Sequence, residues 1–215
     1  MKCAIVPVTP FRQNCSVIWC EETMRGAVVD PGGDLDQVMA VVLEHEVKLE
    51  KILLTHGHMD HAAGTAALAG EFNLPIEGPH EADKFWIDGI PQAAARYGFP
   101  PARVFTPDRW LHHGDTVSVG AMTLDVLHCP GHTPGHVVFL HAPSRLALVG
   151  DVLFRGSIGR TDLPQGNYES LIKAVRERLF PLGDDITFVP GHGDTSTFGW
   201  ERRTNPYVSD LAVEE

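Results

Sequence analysis

Apolar and polar positions fall into short blocks along the chain, and the period changes from block to block. Residues 3–8, 14–20 and 26–30 are runs rich in Val and Ile, bounded by Pro, Asn or Gly, and predict three strands in a meander. After the turn at Pro31-Gly32-Gly33, Leu35, Val38, Met39 and Val42 recur at helical spacing. Asp34 is placed to cap that helix, with Gln37 completing a capping box, and the helix is expected to reach about Val47. The apolar run 49–55 reads as a buried strand, the Ala-rich stretch 62–73 as a helix and 75–77 as a short strand.

The pattern weakens over 79–109, where His80, Phe85, Trp86, Tyr97 and Phe99 are spread among Gly and Pro; short helices and loops are expected, with His80 at the surface or capping. Residues 116–119 and 122–128 flank Gly120-Ala121 and predict a hairpin. Strands follow at 137–141 and 145–149, then a helix over 168–180 with Leu171, Ile172, Val175 and Leu179 on one face, then a last strand at 186–189. Strand blocks alternating with helices imply two sheets face to face with helices outside, an α+β four-layer αββα sandwich. No linker or repeat divides the chain, so one domain over residues 1–215 is expected.

Composition narrows the function. A net charge of -11 without a Lys/Arg cluster beyond Arg202-Arg203 argues against a nucleic-acid partner. Cys3, Cys15, Cys20 and Cys129 show no CxxC spacing and sit in strand-like surroundings, which reads as buried reduced thiols and a cytoplasmic setting. The first apolar run, broken by Pro7 and Pro10, is too short for a secretory signal, and no stretch reaches membrane-spanning length. At 215 residues the chain buries roughly 70% of its unfolded surface and needs no disulfide to have a core.

The chemistry concentrates in His56-Gly57-His58-Met59-Asp60-His61, between a predicted strand and a predicted helix. Strand alternation would send His56 and His58 to one side, while Asp60 and His61 turn towards a second position, an arrangement suited to two adjacent cations. His132, Asp151 and His192 also lie just beyond strand-like runs, so all of these groups would converge on one rim. Imidazole and carboxylate donors suit zinc, iron or manganese with a position open for water. His136 begins a strand and is read as packed beside the ligands; His112, His113 and His128 as structural; His45 as a helix-surface residue; and Cys129 as a buried thiol near the site.

Together these residues resemble the metallo-β-lactamase fold hydrolases, in which HxHxDH precedes a distant His, an Asp and a final His. Within that group the chain is most similar to the small type II glyoxalases, single-domain relatives of hydroxyacylglutathione hydrolase. The supporting stretches run from Cys129 to His136, from Gly159 to Pro164, over Gly191-His192-Gly193, and from Glu201 to Pro206. The resemblance implies that His56, His58 and His132 hold one divalent ion, that Asp60, His61 and His192 hold another, and that Asp151 bridges them. Zinc is the first choice, with iron or manganese as alternatives. It further implies hydrolysis of a small-molecule thioester of the S-lactoylglutathione type, with Asp60 and Asp151 as the catalytic carboxylates and a shared water whose pKa falls to roughly 7. Full-length hydroxyacylglutathione hydrolases add a helical domain that helps bind glutathione, and no counterpart is found here; Arg155, Arg160 and Arg202 are the candidates for gripping a substrate carboxylate. Gly159 to Leu163 also resembles the persulfide dioxygenase branch, where one iron is bound by two histidines and a carboxylate. In that alternative His56 or His58, His132 and Asp151 are the ligands, and Asp60 and His61 stand outside the set.

Overall fold

Period-two alternation decides the architecture. The computed structural model describes residues 1–212. One sheet holds β1 (Lys2–Val8), β2 (Gln13–Trp19), β3 (Arg25–Val29), β4 (Lys48–Leu53) and β5 (Ile76–Glu77), in that order. After β6 (Thr116–Val119), β7 (Met122–His128), β8 (Val137–His141) and β9 (Leu146–Gly150) comes a small pair, β10 (Leu153–Phe154) and β11 (Ser157–Ile158). With β12 (Thr187–Pro190) and β13 (Ser196–Thr197), the second large sheet has the order β13-β12-β9-β8-β7-β6.

Successive residues of the central strands enter different cores. Ile18, Ala27, Val29 and Leu53 of the first sheet meet Val137, Phe139, Leu148 and Val189 of the second in a shared inner core. Their neighbours Val17, Val28 and Ile52 turn outward to pack with Val38 and Val42 of α1 (Leu35–Glu44), Leu68 of α3 (Thr65–Phe72), Ile87 of α4 (Lys84–Asp88) and Ile90 and Ala94 of α5 (Ile90–Tyr97). On the far side Val138, Leu140, Ala147 and Phe188 pack with Leu171 and Ala174 of α6 (Tyr168–Ala174), Leu179 of the π-helical turn Val175–Leu179, and Phe198 of α7 (Phe198–Thr204). Three cores between four layers make the αββα sandwich. A fully buried Leu53 or Phe139 contributes about 1.5–3 kcal/mol each, so the inner face cannot shift register by one residue without reversing every such side chain.

Local differences from the sequence reading have local causes. Asp34 makes no cap: it sits in the left-handed region at φ 45°, and its Oδ2 accepts the Thr9 N–H at 2.6 Å, tying α1 to the turn after β1. The helix stops at Glu44 because Glu46 takes φ 52°. The expected helix 62–73 is two pieces, α2 (Met59–Ala62) and α3, broken where Gly64 N–H donates to the Pro31 carbonyl at 2.9 Å.

Strand direction places the site. β3 runs parallel to β4, and β9 to β12, so each pair delivers its carboxyl ends to one edge. The register shifts between Val189 and Pro190, bringing Pro190 opposite Gly150, an irregularity of the kind that re-aims side chains beside active sites. Hydrogen bonds join the two sheets at that edge: Asn14 N–H to the Gly191 carbonyl at 2.7 Å, and Val137 N–H to the Thr55 carbonyl at 2.8 Å. Among the described residues no helix is long and apolar enough to cross a membrane.

Candidate metal centre

His56 follows the carboxyl end of β4 by three residues, and His58 stands at φ −65°, ψ 146° before α2 begins. His58 Nδ1 lies 3.2 Å from His56 Nε2 and 2.9 Å from Nε2 of His132, which arrives on the loop after β7. One turn on, α2 presents Asp60 and His61. Asp60 Oδ2 is 3.2 Å from Nε2 of His192, from the end of β12, and 3.8 Å from His61 Nε2. Asp151, just past β9, stands between the two groups: Oδ1 is 3.3 Å from His61 Nε2, and Oδ2 is 3.5 Å from His132 Nε2 and 3.7 Å from His192 Nε2. All seven residues anticipated from the sequence therefore meet in one place. The approach is tight enough that a Cβ on Gly191 would fall 2.0 Å from Asp151 Oδ1.

The outward nitrogens fix the tautomers. Nδ1 of His132 donates to the Arg160 carbonyl at 2.8 Å, and Nδ1 of His192 to the Phe11 carbonyl at 3.1 Å; a carbonyl only accepts, so Nδ1 carries a proton in each and Nε2 is the nitrogen turned inward. His61 Nδ1 donates to Asp30 Oδ2 at 2.9 Å. The Thr55 hydroxyl donates to the same carboxylate at 2.5 Å and so accepts from His56 Nδ1 at 3.0 Å. One carboxylate, Asp30, thus orients His61 directly and His56 through Thr55. Beneath them His136 is fully buried, stacks on His56 with ring centres 4.6 Å apart, and accepts the Asp151 N–H at 3.0 Å.

A cation pair fits this donor set. His61 Nε2 and Asp151 Oδ1, on the inner side of the cluster, are buried and make no hydrogen bond, although orphaned groups of this kind are costly. Burial, then its His132 neighbour, pushes His58 down to about 3, and burial drives His56 well below the usual imidazole range, so both are neutral and able to ligate. Burial opposes charge on His61, but Asp151 and Asp60 outweigh it and raise its pKa: the pocket calls for positive charge beside its carboxylates. Burial likewise opposes charge on Asp151, and His61, His132 and His192 overcome it to hold the carboxyl below its ordinary value. A further group, His80, Glu81 and His112, gathers near the surface, but His80 Nδ1 accepts the Ala82 N–H at 3.1 Å. Its proton therefore sits on Nε2, which is unsuited to a ligand.

The cleft over the centre is about 360 Å³ and is walled by Phe11, Met59, Trp86, Ala93, Tyr97, Arg160 and Leu163. Of the three arginines, Arg160 alone reaches it, and its guanidinium is paired with Asp162 by two hydrogen bonds of 2.7 Å. Arg155 faces Asp194 at 3.5 Å, and Arg202 binds Asp210 at 3.0 Å and lies 3.7 Å from Asp184; neither lines the cleft. Arg202 is near the end of α7, whose last turn faces Asp210.

Two buried carboxylates close to the centre, Asp30 and Asp83, escaped the sequence reading. Asp30 did carry a signal, since it ends a predicted strand as Asp151 does. Asp83 carried none, because it lies in the weakly patterned segment. Asp30→Ala is expected to weaken cation binding about 10–100-fold, as loss of a residue orienting a ligand commonly does; competition against a chromophoric chelator measures it.

A two-sheet sandwich whose strand ends gather imidazoles and carboxylates at the floor of a cleft defines a metal-dependent hydrolase. The chain belongs to the Metallo-beta-lactamase superfamily, which it matches over residues 8–192. It is 43% identical over 210 residues to the hydroxyacylglutathione hydrolase GloC of Haemophilus influenzae, covering 97% of this chain and 99% of that protein. Among solved structures it is similar to the BLEG-1 B3 metallo-beta-lactamase, with a TM-score of 0.88, 30% identity and coverage of 96% of this chain and 99% of that one. It is also similar to TTHA1623 in a di-iron-bound form, with a TM-score of 0.86, 34% identity and coverage of 95% and 99%.

Proposed function

We propose that this metallo-hydrolase cleaves small acyl thioesters of the S-lactoylglutathione type at a centre for two divalent cations. The observation that carries the reading is Asp151 standing between a three-histidine group and an Asp60/His61/His192 group, each with donor atoms turned inward. His56, His58 and His132 would hold one cation and Asp60, His61 and His192 the other, with Asp151 shared. Likeness to GloC supports the substrate class, and the di-iron form of TTHA1623 supports iron beside zinc and manganese as the cation. When bound, such a pair polarises an acyl carbonyl and makes water acidic enough to supply a nucleophile near neutral pH.

The chain's own residues do the rest. Asp30 and the Phe11 and Arg160 carbonyls lock four imidazoles with their lone pairs inward, so no reorganisation is needed when substrate arrives. Asp60 and Asp151 act as ionised carboxylates: on Asp60, burial raises the pKa but His61 and His192 outweigh it. Neither offers a proton to the leaving group, and none is needed, because a thiolate with pKa of about 8.5 departs unprotonated. Phe11, Trp86 and Tyr97 wall the acyl group from solvent, and Arg160 stands at the cleft for a carboxylate on the thiol portion.

The test compares hydrolysis of S-lactoylglutathione with oxygen consumption on glutathione persulfide, using protein reconstituted with zinc or with iron. Hydrolysis is expected, with loss of turnover in Asp60→Ala and His61→Ala. Oxygen consumption without hydrolysis, retained in both variants, would instead establish the single-iron dioxygenase alternative.

A further inference from the structure

Between His80 and Asp88 the chain presses against the centre without turning a donor atom into it. His80 caps one 3-10 turn, Glu81–Asp83, and α4 follows at once. Asp83, at the end of that turn, is fully buried, and among the described residues no Lys, Arg or His pairs with it. Its carboxylate is satisfied by three donors: Gly57 N–H at 2.9 Å and the Thr133 hydroxyl at 2.8 Å on Oδ2, and Gly135 N–H at 2.5 Å on Oδ1. Gly57 lies between His56 and His58, and Thr133 follows His132. The same segment adds a backbone bond, His80 N–H to the Gly135 carbonyl at 3.0 Å, and α4 sets Trp86 edge-on to the His58 ring with centres 4.4 Å apart.

The chemistry of this contact is specific. A buried carboxylate is tolerated only when donors surround it, and those bonds are then stronger than neutral ones. All three partners donate, so the acceptor-only carboxylate suits the place; an amide there would turn an NH₂ group towards at least one N–H or O–H. Close approach is part of the design, since a Cβ on Gly135 would lie 2.6 Å from Asp83 N and 2.7 Å from its Oδ1.

We infer that Asp83 is a positioning residue for the three-histidine cation position: its carboxylate clamps the His56–His58 loop to the His132 loop and so sets cation affinity there without touching the cation. Asp83 makes no bond to the loops carrying His61 or His192, which Asp30 and the Phe11 carbonyl orient; Asp30 reaches the three-histidine position only at His56, through Thr55. The inference rests on the reading that His56, His58 and His132 hold a cation.

The test places Asp83→Asn in two backgrounds of the full chain. His192→Ala removes a donor from the second position and leaves the three-histidine position; His132→Ala does the reverse. Each cation-free protein is titrated with zinc against a chromophoric chelator. In the His192→Ala background Asp83→Asn is expected to weaken zinc about 10–100-fold, with no comparable loss in the His132→Ala background. Thr133→Val, nearly isosteric and removing one donor of the three, is expected to weaken the same position by less. It also carries the test if Asp83→Asn does not fold. Equal weakening in both backgrounds, or none from either variant in the first, overturns the inference. Should the unsubstituted chain take up two zinc ions while Asp83→Asn changes nothing, the inference alone falls; should it take up none, the reading beneath falls with it.

Discussion

Asp151→Ala is expected to retain no more than about a thousandth of the parent kcat/KM for a thioester, the loss of several kcal/mol of transition-state stabilisation converted at 1.36 kcal/mol per decade. Asp151 reaches both donor groups, at 3.3 Å from His61 on one side and 3.5 Å from His132 on the other. Alanine removes the carboxylate that stands between the two sets of imidazoles. Zinc uptake should fall below two per chain in the same preparation, measured by atomic absorption. Circular dichroism should remain near that of the parent, because Asp151 lies beyond the end of β9 and outside the three cores. A variant that kept both ions and a tenth or more of the activity would remove Asp151 from its proposed place.

Stripping the cations with a strong chelator is expected to lower Tm by about 8–16 °C. Each of two ions held at about thirty times its Kd contributes about 2 kcal/mol, about 4 kcal/mol together, and each kcal/mol moves the Tm of a domain this size by about 2–4 °C. The physical cause is visible in the donor set. Without cations three carboxylates, Asp30, Asp60 and Asp151, crowd around the one imidazole of His61. Scanning calorimetry before and after adding zinc back measures the shift, which should reverse. An unchanged Tm would mean that the centre stands without its ions.

Much of the sandwich was legible because strand faces obey a period of two. Val17 against Ile18, Ile52 against Leu53, and Val138 against Phe139 each divide between an outer and the inner core, and that division is written in the run of apolar residues. The metal-type residues were legible for a related reason: strand ends announce themselves through Gly and Pro, and a histidine or aspartate placed there stands out. Asp34 was misread because its competing partner, the Thr9 N–H, lies in another element. The places of Arg155 and Arg202 outside the cleft were not legible, because a guanidinium's destination depends on carboxylates elsewhere in the chain, Asp194, Asp184 and Asp210. Asp83 was invisible because its three donors, Gly57, Thr133 and Gly135, lie on two loops that fold onto it from elsewhere in the chain.

The inward-facing nitrogens and oxygens are drawn from positions as far apart as His56 and His192, and the last of them is carried by a strand that must first pair in parallel with β9. A nascent chain therefore cannot assemble the centre until its final third has left the ribosome and docked. Ion capture would then serve as a late seal on maturation, closing over a scaffold already in place.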